Sequence, residues 1–144
     1  MEFVVDDAPD PNDLDLIDAE IRAAASAATD LGDQRDLAVL VREDGRLRAG
    51  IYGWTWGDCC ELQSLWVAPE LRGSGLGLRL LTEAEHEARA RGCRQIVIFV
   101  HDFQPLALYR RFGLEELARV TDFPEGSSAI WMRKAIGDSA PRNL

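Results

Sequence analysis

Hydrophobic and polar positions follow clear periods along this chain, and the period changes where the elements change. Leu14, Ile17 and Ile21, with Ala24 or Ala25 beyond them, recur at helical spacing and predict a helix over residues 10–28. Asp10 before Pro11 supplies a capping side chain and a first helical residue that needs no N–H. Residues 2–6 read as a short strand ahead of it, and residues 29–36 as a polar break around Gly32. Alternation then takes over. Residues 37–41, 47–56 and 59–67 read as three strands, joined by Asp44-Gly45 and Gly57-Asp58. Asp-Gly between alternating runs is a strong hairpin signal, so the three strands predict an antiparallel meander.

After Pro69 the period becomes helical again, with Leu76, Leu80, Leu81, Ala84 and Ala88 on one side and Gly92 as the stop. Residues 95–100 are continuously apolar, as in a strand buried on both faces. Strand, glycine-rich turn, helix, strand is a βαβ unit, so this strand should run parallel to the third. A short helix over residues 103–112 and two last strands, 114–122 and 128–134, complete the order. The fold class is α/β of the α+β kind: a mixed central sheet with an antiparallel meander, a βαβ unit and flanking helices. The prominent hairpins exclude a doubly wound sheet. One domain over residues 1–136 is expected, with residues 137–144 a flexible tail.

Composition narrows the partners. The chain has 144 residues, 25 acidic side chains against 16 lysines and arginines, and a formal charge of -9. Lys134 is its single lysine. Nucleic-acid binding needs a basic footprint that this balance does not supply. No apolar run approaches the roughly 20 residues that span a bilayer, and the acidic opening does not resemble a secretion signal. A cytoplasmic setting and no membrane partner are expected. Cys59, Cys60 and Cys93 lack the pairwise spacing of a zinc site, so no metal is expected. Cys59 and Cys60 face opposite ways on a strand and neither sits beside a base, so both read as inert.

The sharpest local feature is Arg72-Gly73-Ser74-Gly75-Leu76-Gly77, between a strand and a helix. Glycines allow tight dihedrals there, and the following helix presents unpaired N–H groups suited to a phosphate. Arg72 adds a charge-assisted contact. The lysine of a nucleotide-binding loop is missing, and the spacing and placement do not fit a dinucleotide fingerprint. Taken alone, the glycines could equally be a tight entry into a helix packed close to the sheet.

With its flanks, residues 61–81 (ELQSLWVAPELRGSGLGLRLL), the segment resembles the GCN5-related N-acetyltransferases, or GNAT superfamily. Arg72, Gly75 and Gly77 fill the family's Arg/Gln-x-x-Gly-x-Gly/Ala pattern. Residues 103–115 (FQPLALYRRFGLE) resemble its last helix, with a mid-helix tyrosine and an aromatic-glycine end. The element order agrees over about residues 1–134, as in small bacterial members.

The resemblance implies the GNAT fold and an acetyl-CoA-dependent N-acetyltransferase. Leu65, Trp66 and Val67 would pair their backbone with the pantetheine arm. The N–H groups of Arg72, Gly73, Ser74, Gly75, Leu76 and Gly77 would cradle the pyrophosphate. The strands 59–67 and 94–101 would splay to admit the thioester. The Val67 N–H would donate to the thioester oxygen, and Tyr109 would protonate the leaving thiolate. Asp102 and Pro105 depart from the family's common asparagine and alanine; Asp102 reads as a helix cap and Pro105 fits a first turn.

For the base, Glu61 stands six residues before Val67, where some family members carry a carboxylate acting through water. Strict alternation places Glu61, Gln63, Leu65 and Val67 on one face. His101, at the end of the buried strand, competes for the role; either side chain also reads simply as a solvated strand end. His86 reads as exposed. Arg110 of the Arg110-Arg111 pair, and Arg79, are candidates for a CoA phosphate. Tyr52, Trp54 and Trp56 share a face, as core under a helix or as an acceptor wall for a cationic amine; Trp66 reads as core. Asp122 and Glu125 flank the expected acceptor opening.

The resulting expectation is direct acetyl transfer from acetyl-CoA to a primary amine of a small molecule. A peptide or protein amine is the alternative acceptor, and a non-catalytic acyl-CoA sensor the alternative class. The resemblance also leaves homodimer formation open.

Overall fold

The computed structural model describes residues 1–137; the expected tail lies outside them except for Gly137. Contacts divide the chain into two compact units, residues 1–32 and 33–144. The first holds α1 (Pro11–Thr29), whose start is fixed as the sequence predicts: Asp10 Oδ1 accepts the Asn12 N–H at 2.9 Å. No residue of α1 is buried; the stripe of Leu14, Ile17 and Ile21 forms but stays exposed. The strand expected over residues 2–6 does not form. Val4 and Val5 are exposed, and Asp6 turns the chain by accepting the Ala8 N–H. A strand needs a partner for its N–H and C=O groups, and no strand among the described residues pairs with this segment.

The second unit carries β1 (Arg35–Glu43), β2 (Arg46–Trp56), β3 (Cys59–Val67), α2 (Leu76–Ala90), β4 (Gln95–His101), α3 (Leu106–Phe112), β5 (Glu115–Thr121) and β6 (Ser128–Ala135). A single-turn 3-10 helix, Pro69–Leu71, links β3 to the glycine turn. The six strands form one sheet in the order β1-β2-β3-β4-β6-β5. β1 to β3 are the antiparallel meander, β3 and β4 are parallel, and β6 runs antiparallel between β4 and β5. One face carries Leu37, Ile51, Leu62, Ile98 and Val100, all at most 1% exposed, beneath α2 and α3. Leu80, Leu81, Ala84 and Ala88 of α2 close that core, as their spacing predicts.

Two strand registers shape the region beside the glycine turn. β3 and β4 pair only from Cys59↔Gln95 to Leu62↔Ile98. Beyond Leu62 the strands part, as the resemblance implies. Between β2 and β3, Tyr52 faces Ser64 while Gly53 faces Leu62, so Gln63 is an extra residue in β3. This β-bulge inverts the alternation. Leu65 pairs with buried Ile51 and Val67 with buried Ala49 on the helix-covered face, whereas Glu61 pairs with Trp54 on the other. The expectation that Glu61 shares a face with Leu65 and Val67 is therefore corrected.

Candidate active site

The split between β3 and β4 opens a cleft of about 690 Å³, lined by Leu65, Trp66 and Val67, the glycine turn, the start of α2, and Phe103, Gln104, Pro105, Leu108 and Arg111. Arg72, Gln104 and Arg111 are its polar side chains, and the strand edge and helix start add backbone groups. The Ala68 N–H donates to Arg48 O at 2.8 Å, so Ala68 faces β2. Successive peptides in a strand point opposite ways, which turns the N–H and C=O of Val67, and likewise of Leu65, toward the side where β4 has departed. Arg72 Nε donates to Val67 O at 3.1 Å, closing the mouth of this edge.

At the glycine turn, the tight-packing and anion-binding readings separate by residue. Gly73 and Gly75 have φ of 74° and 86°, with nothing within 4 Å of an added Cβ. Their requirement is backbone direction, not space. Gly77 is the reverse: a Cβ there would stand 2.8 Å from Leu108 Cδ2, so it lets α2 approach α3. Gly75 caps α2 without any side-chain hydrogen bond. The first N–H to find a carbonyl within the helix is that of Arg79, bonded to Gly75 O at 3.1 Å. The N–H groups of Leu76, Gly77 and Leu78 thus open on the cleft, with the positive end of the α2 dipole behind them. Ser74 does not line the cleft; its hydroxyl donates to Leu71 O and fixes the turn.

Gly75→Ala should therefore weaken acetyl-CoA binding about tenfold. An alanine costs about 1–2 kcal/mol in the left-handed region. The free loop relaxes away from that conformation, and binding must restore it; 1.4 kcal/mol is a factor of ten. Titration calorimetry measures the change, and an unaltered affinity would remove the turn from the binding site.

Tyr109 is 2% exposed and belongs to the core, one helical step from cleft-lining Leu108. Burial pushes its hydroxyl above the usual tyrosine value. That hydroxyl has no hydrogen bond to a described residue and is not sealed from solvent either, because Arg48 Nε is the one fully buried side-chain polar atom without a hydrogen bond among the described residues. Glu61 is partly buried, and desolvation raises its carboxyl above the usual carboxylate value. His101 ends β4 on the face of Glu61. Its N–H donates to Gln104 Oε1 at 2.8 Å, and its ring stacks on Phe103 at 5.1 Å and 16°.

The structure corrects several other expectations. Trp66 is 45% exposed and lines the cleft rather than the core. Arg111 lines the cleft and Arg110 does not; one residue on a helix is a turn of about 100°, which the sequence pair leaves open. Arg79 faces β1, lining a separate cavity with Val39 and Arg42. α3 begins at Leu106, because residues 103 and 104 form a turn in which the Gln104 N–H donates to His101 O. Pro105 is its N-cap residue, and Asp102 does not cap it: Asp102 Oδ2 accepts the Ser128 N–H at 2.9 Å, tying the ends of β4 and β6. Tyr52 is exposed on the face away from α2, so it is not core under that helix. His86 is exposed, as its helical position predicts. Burial raises the Cys59 thiol to about 11 and Cys60 to about 12, which keeps both protonated and unreactive.

Residues 3–114 match the family model described as Acetyltransferase (GNAT) family. The chain belongs to the GNAT family. It is 31% identical over 135 residues to acetyltransferase Atu2258 of Agrobacterium fabrum, covering 93% of this chain and 98% of that one. It is 38% identical over 98 residues to blasticidin-S acetyltransferase of Streptomyces morookaense, covering 65% and 70%. The crystal structure of an acetyltransferase from Bacillus cereus superposes with a TM-score of 0.75 at 25% identity, over 92% of this chain and 97% of that one. This GNAT member is an acetyl-CoA-dependent N-acetyltransferase acting on an amine acceptor, with acetyl-CoA as cosubstrate. Its residues fit that donor: the uncapped start of α2 would suit a pyrophosphate, and the strand edge facing the open split would suit an amide-bearing arm. No helix among the described residues is long and apolar enough to cross a membrane.

Proposed function

We propose that this enzyme transfers the acetyl group directly to a primary amine of a small molecule, with Tyr109 as general acid and Glu61 as base. The observation that carries the reading is the grouping of the turned-out Val67 peptide and the uncapped start of α2 around one cleft, with Tyr109 one helical step behind its wall. The amine lone pair attacks the thioester carbonyl, and the Val67 N–H supports the charge that develops on its oxygen. The C–S bond then breaks and the departing thiolate takes the Tyr109 proton. The proton lost by the new ammonium group leaves through water to Glu61, and solvent reprotonates Tyr109. The match to blasticidin-S acetyltransferase supports a small-molecule acceptor. A free-thiol release assay against small amines and short peptides, with product masses, tests the class; transfer to peptides alone would overturn the small-molecule reading.

Glu61 and His101 separate by pH. A base works only when deprotonated, so kcat/KM should rise with pH and level off through the Glu61 value, which desolvation holds above that of an ordinary carboxylate. Glu61→Gln should remove that limb and cost about a hundredfold or more in kcat. If the limb survives in Glu61→Gln and vanishes in His101→Ala, the base is His101.

A further inference from the structure

Phe103 has two neighbourhoods. It lines the donor cleft, and its ring stacks on His101. From His101 a continuous aromatic cluster runs across the face away from α2. His101 meets Phe123 at 5.3 Å and Phe99 at 6.0 Å, and Phe99 meets Trp131 at 5.0 Å. The strand register explains the grouping: Phe99 and Trp131 are direct partners across β4 and β6. The Asp102–Ser128 tie fixes the ends of both strands, with the Asp102 N–H also donating to Ser128 O at 2.9 Å.

This cluster is open. Phe103 is 67% exposed, Phe123 48% and Trp131 36%. Aromatic side chains bury large apolar areas when they can, so a contiguous exposed group marks a binding surface. The charges beside it are acidic: Asp122 precedes Phe123, and Glu125 lies in the same turn, both exposed. The nearest base along β6 is Arg133, whose Nε is engaged by Gln95 Oε1 at 2.8 Å. An open patch of mutually tilted aromatic rings with carboxylates beside it offers both ring faces and edges to a cation carried on a π-rich body.

We propose that this cluster is the acceptor subsite, and that the acceptor is a primary amine carried on a flat, π-rich body. The proposal rests on the small-molecule reading above and deepens it. Phe103 is the partition: the planar body lies over Phe123 and Trp131, and the amine passes Phe103 toward the thioester.

Calorimetry on the CoA-saturated protein tests this with 2-phenylethylamine, 2-cyclohexylethylamine and spermidine. The aromatic amine should bind about fivefold or more tighter than its saturated analogue and tighter than spermidine. Trp131→Leu and Phe123→Leu each should erase that preference while acetyl-CoA affinity changes less than about twofold, within ordinary surface-mutation effects. Equal affinity for the two ring amines, preference for spermidine, or no amine binding beside normal CoA binding would overturn the subsite and leave the transferase reading intact. A Trp131→Leu variant that loses a dimer and keeps its amine affinities would make the cluster an interface between copies instead. Absence of acetyl-CoA binding by the wild type would take down both readings.

Discussion

Tyr109→Phe is expected to lower kcat about 100-fold or more while leaving acetyl-CoA affinity within about threefold of wild type. General acids contribute roughly 10² to 10⁴ in rate, and a departing thiolate in a cleft of apolar walls has little else to protonate it. Leu65, Val67, Leu76 and Leu108 carry no acid, and the polar side chains of the lining are Arg72, Gln104 and Arg111, of which the guanidinium groups hold their protons too tightly to give them up. Burial raises the Tyr109 hydroxyl above its ordinary value, so the residue stays protonated throughout the neutral range. Activity that needs protonated Tyr109 is present below its raised value and falls as pH rises through it. The wild-type alkaline limb should therefore lie above that of an ordinary tyrosine and be absent in the variant. Phenylalanine keeps the ring that fills the core, so circular dichroism should show an intact fold. Pre-steady-state measurement of CoA release isolates the step. Wild-type kcat in Tyr109→Phe would leave Tyr109 a packing residue that closes the core beneath Leu108.

How much of this site the sequence displays depends on whether a residue's role is set by its neighbours in the chain or by a distant strand. The glycine turn is local: its dihedrals, the cap at Gly75 and the helix start at Leu76 all follow from adjacent residues, and all are where the motif places them. The meander and the βαβ unit are equally legible, because Asp44-Gly45 and the change of period at Pro69 are local signals. The missing strand at residues 2–6 is a non-local failure, since alternation without a partner strand makes no ladder. The face of Glu61 fails for a subtler reason. The residues 59–67 contain no glycine or proline to announce an extra residue; the announcing glycine, Gly53, sits on the opposite strand. The aromatic cluster is hidden for the same reason: Phe99 and Trp131 meet only through the β4–β6 register and Phe123 joins them from the β5–β6 turn, whereas Tyr52, Trp54 and Trp56 advertise themselves by spacing.

Gly53 carries the last prediction. A Cβ at this position would lie 2.0 Å from Glu61 O and 2.8 Å from Leu62 Cα, both backbone atoms of the bulged strand. No rotamer change relieves that contact, so β2 and β3 must separate or the bulge must vanish. Gly53→Ala should cost about 3 kcal/mol, the upper end of ordinary overpacking, and lower the urea midpoint by about 1 M or more at a slope of roughly 2–3 kcal/mol per M. Gly45→Ala is the contrasting control. Its φ of 76° is left-handed, but an added Cβ meets nothing within 4 Å, so only conformational strain of about 1–2 kcal/mol is expected. The fraction of Gly53→Ala that folds should also be impaired in kcat, because losing Gln63 as an extra residue would rotate Leu65 and Val67 onto the face of Glu61 and turn the Val67 N–H back into the β2 ladder. A loss below about 1 kcal/mol with normal kcat would mean that the bulge is not what aims this strand at the donor.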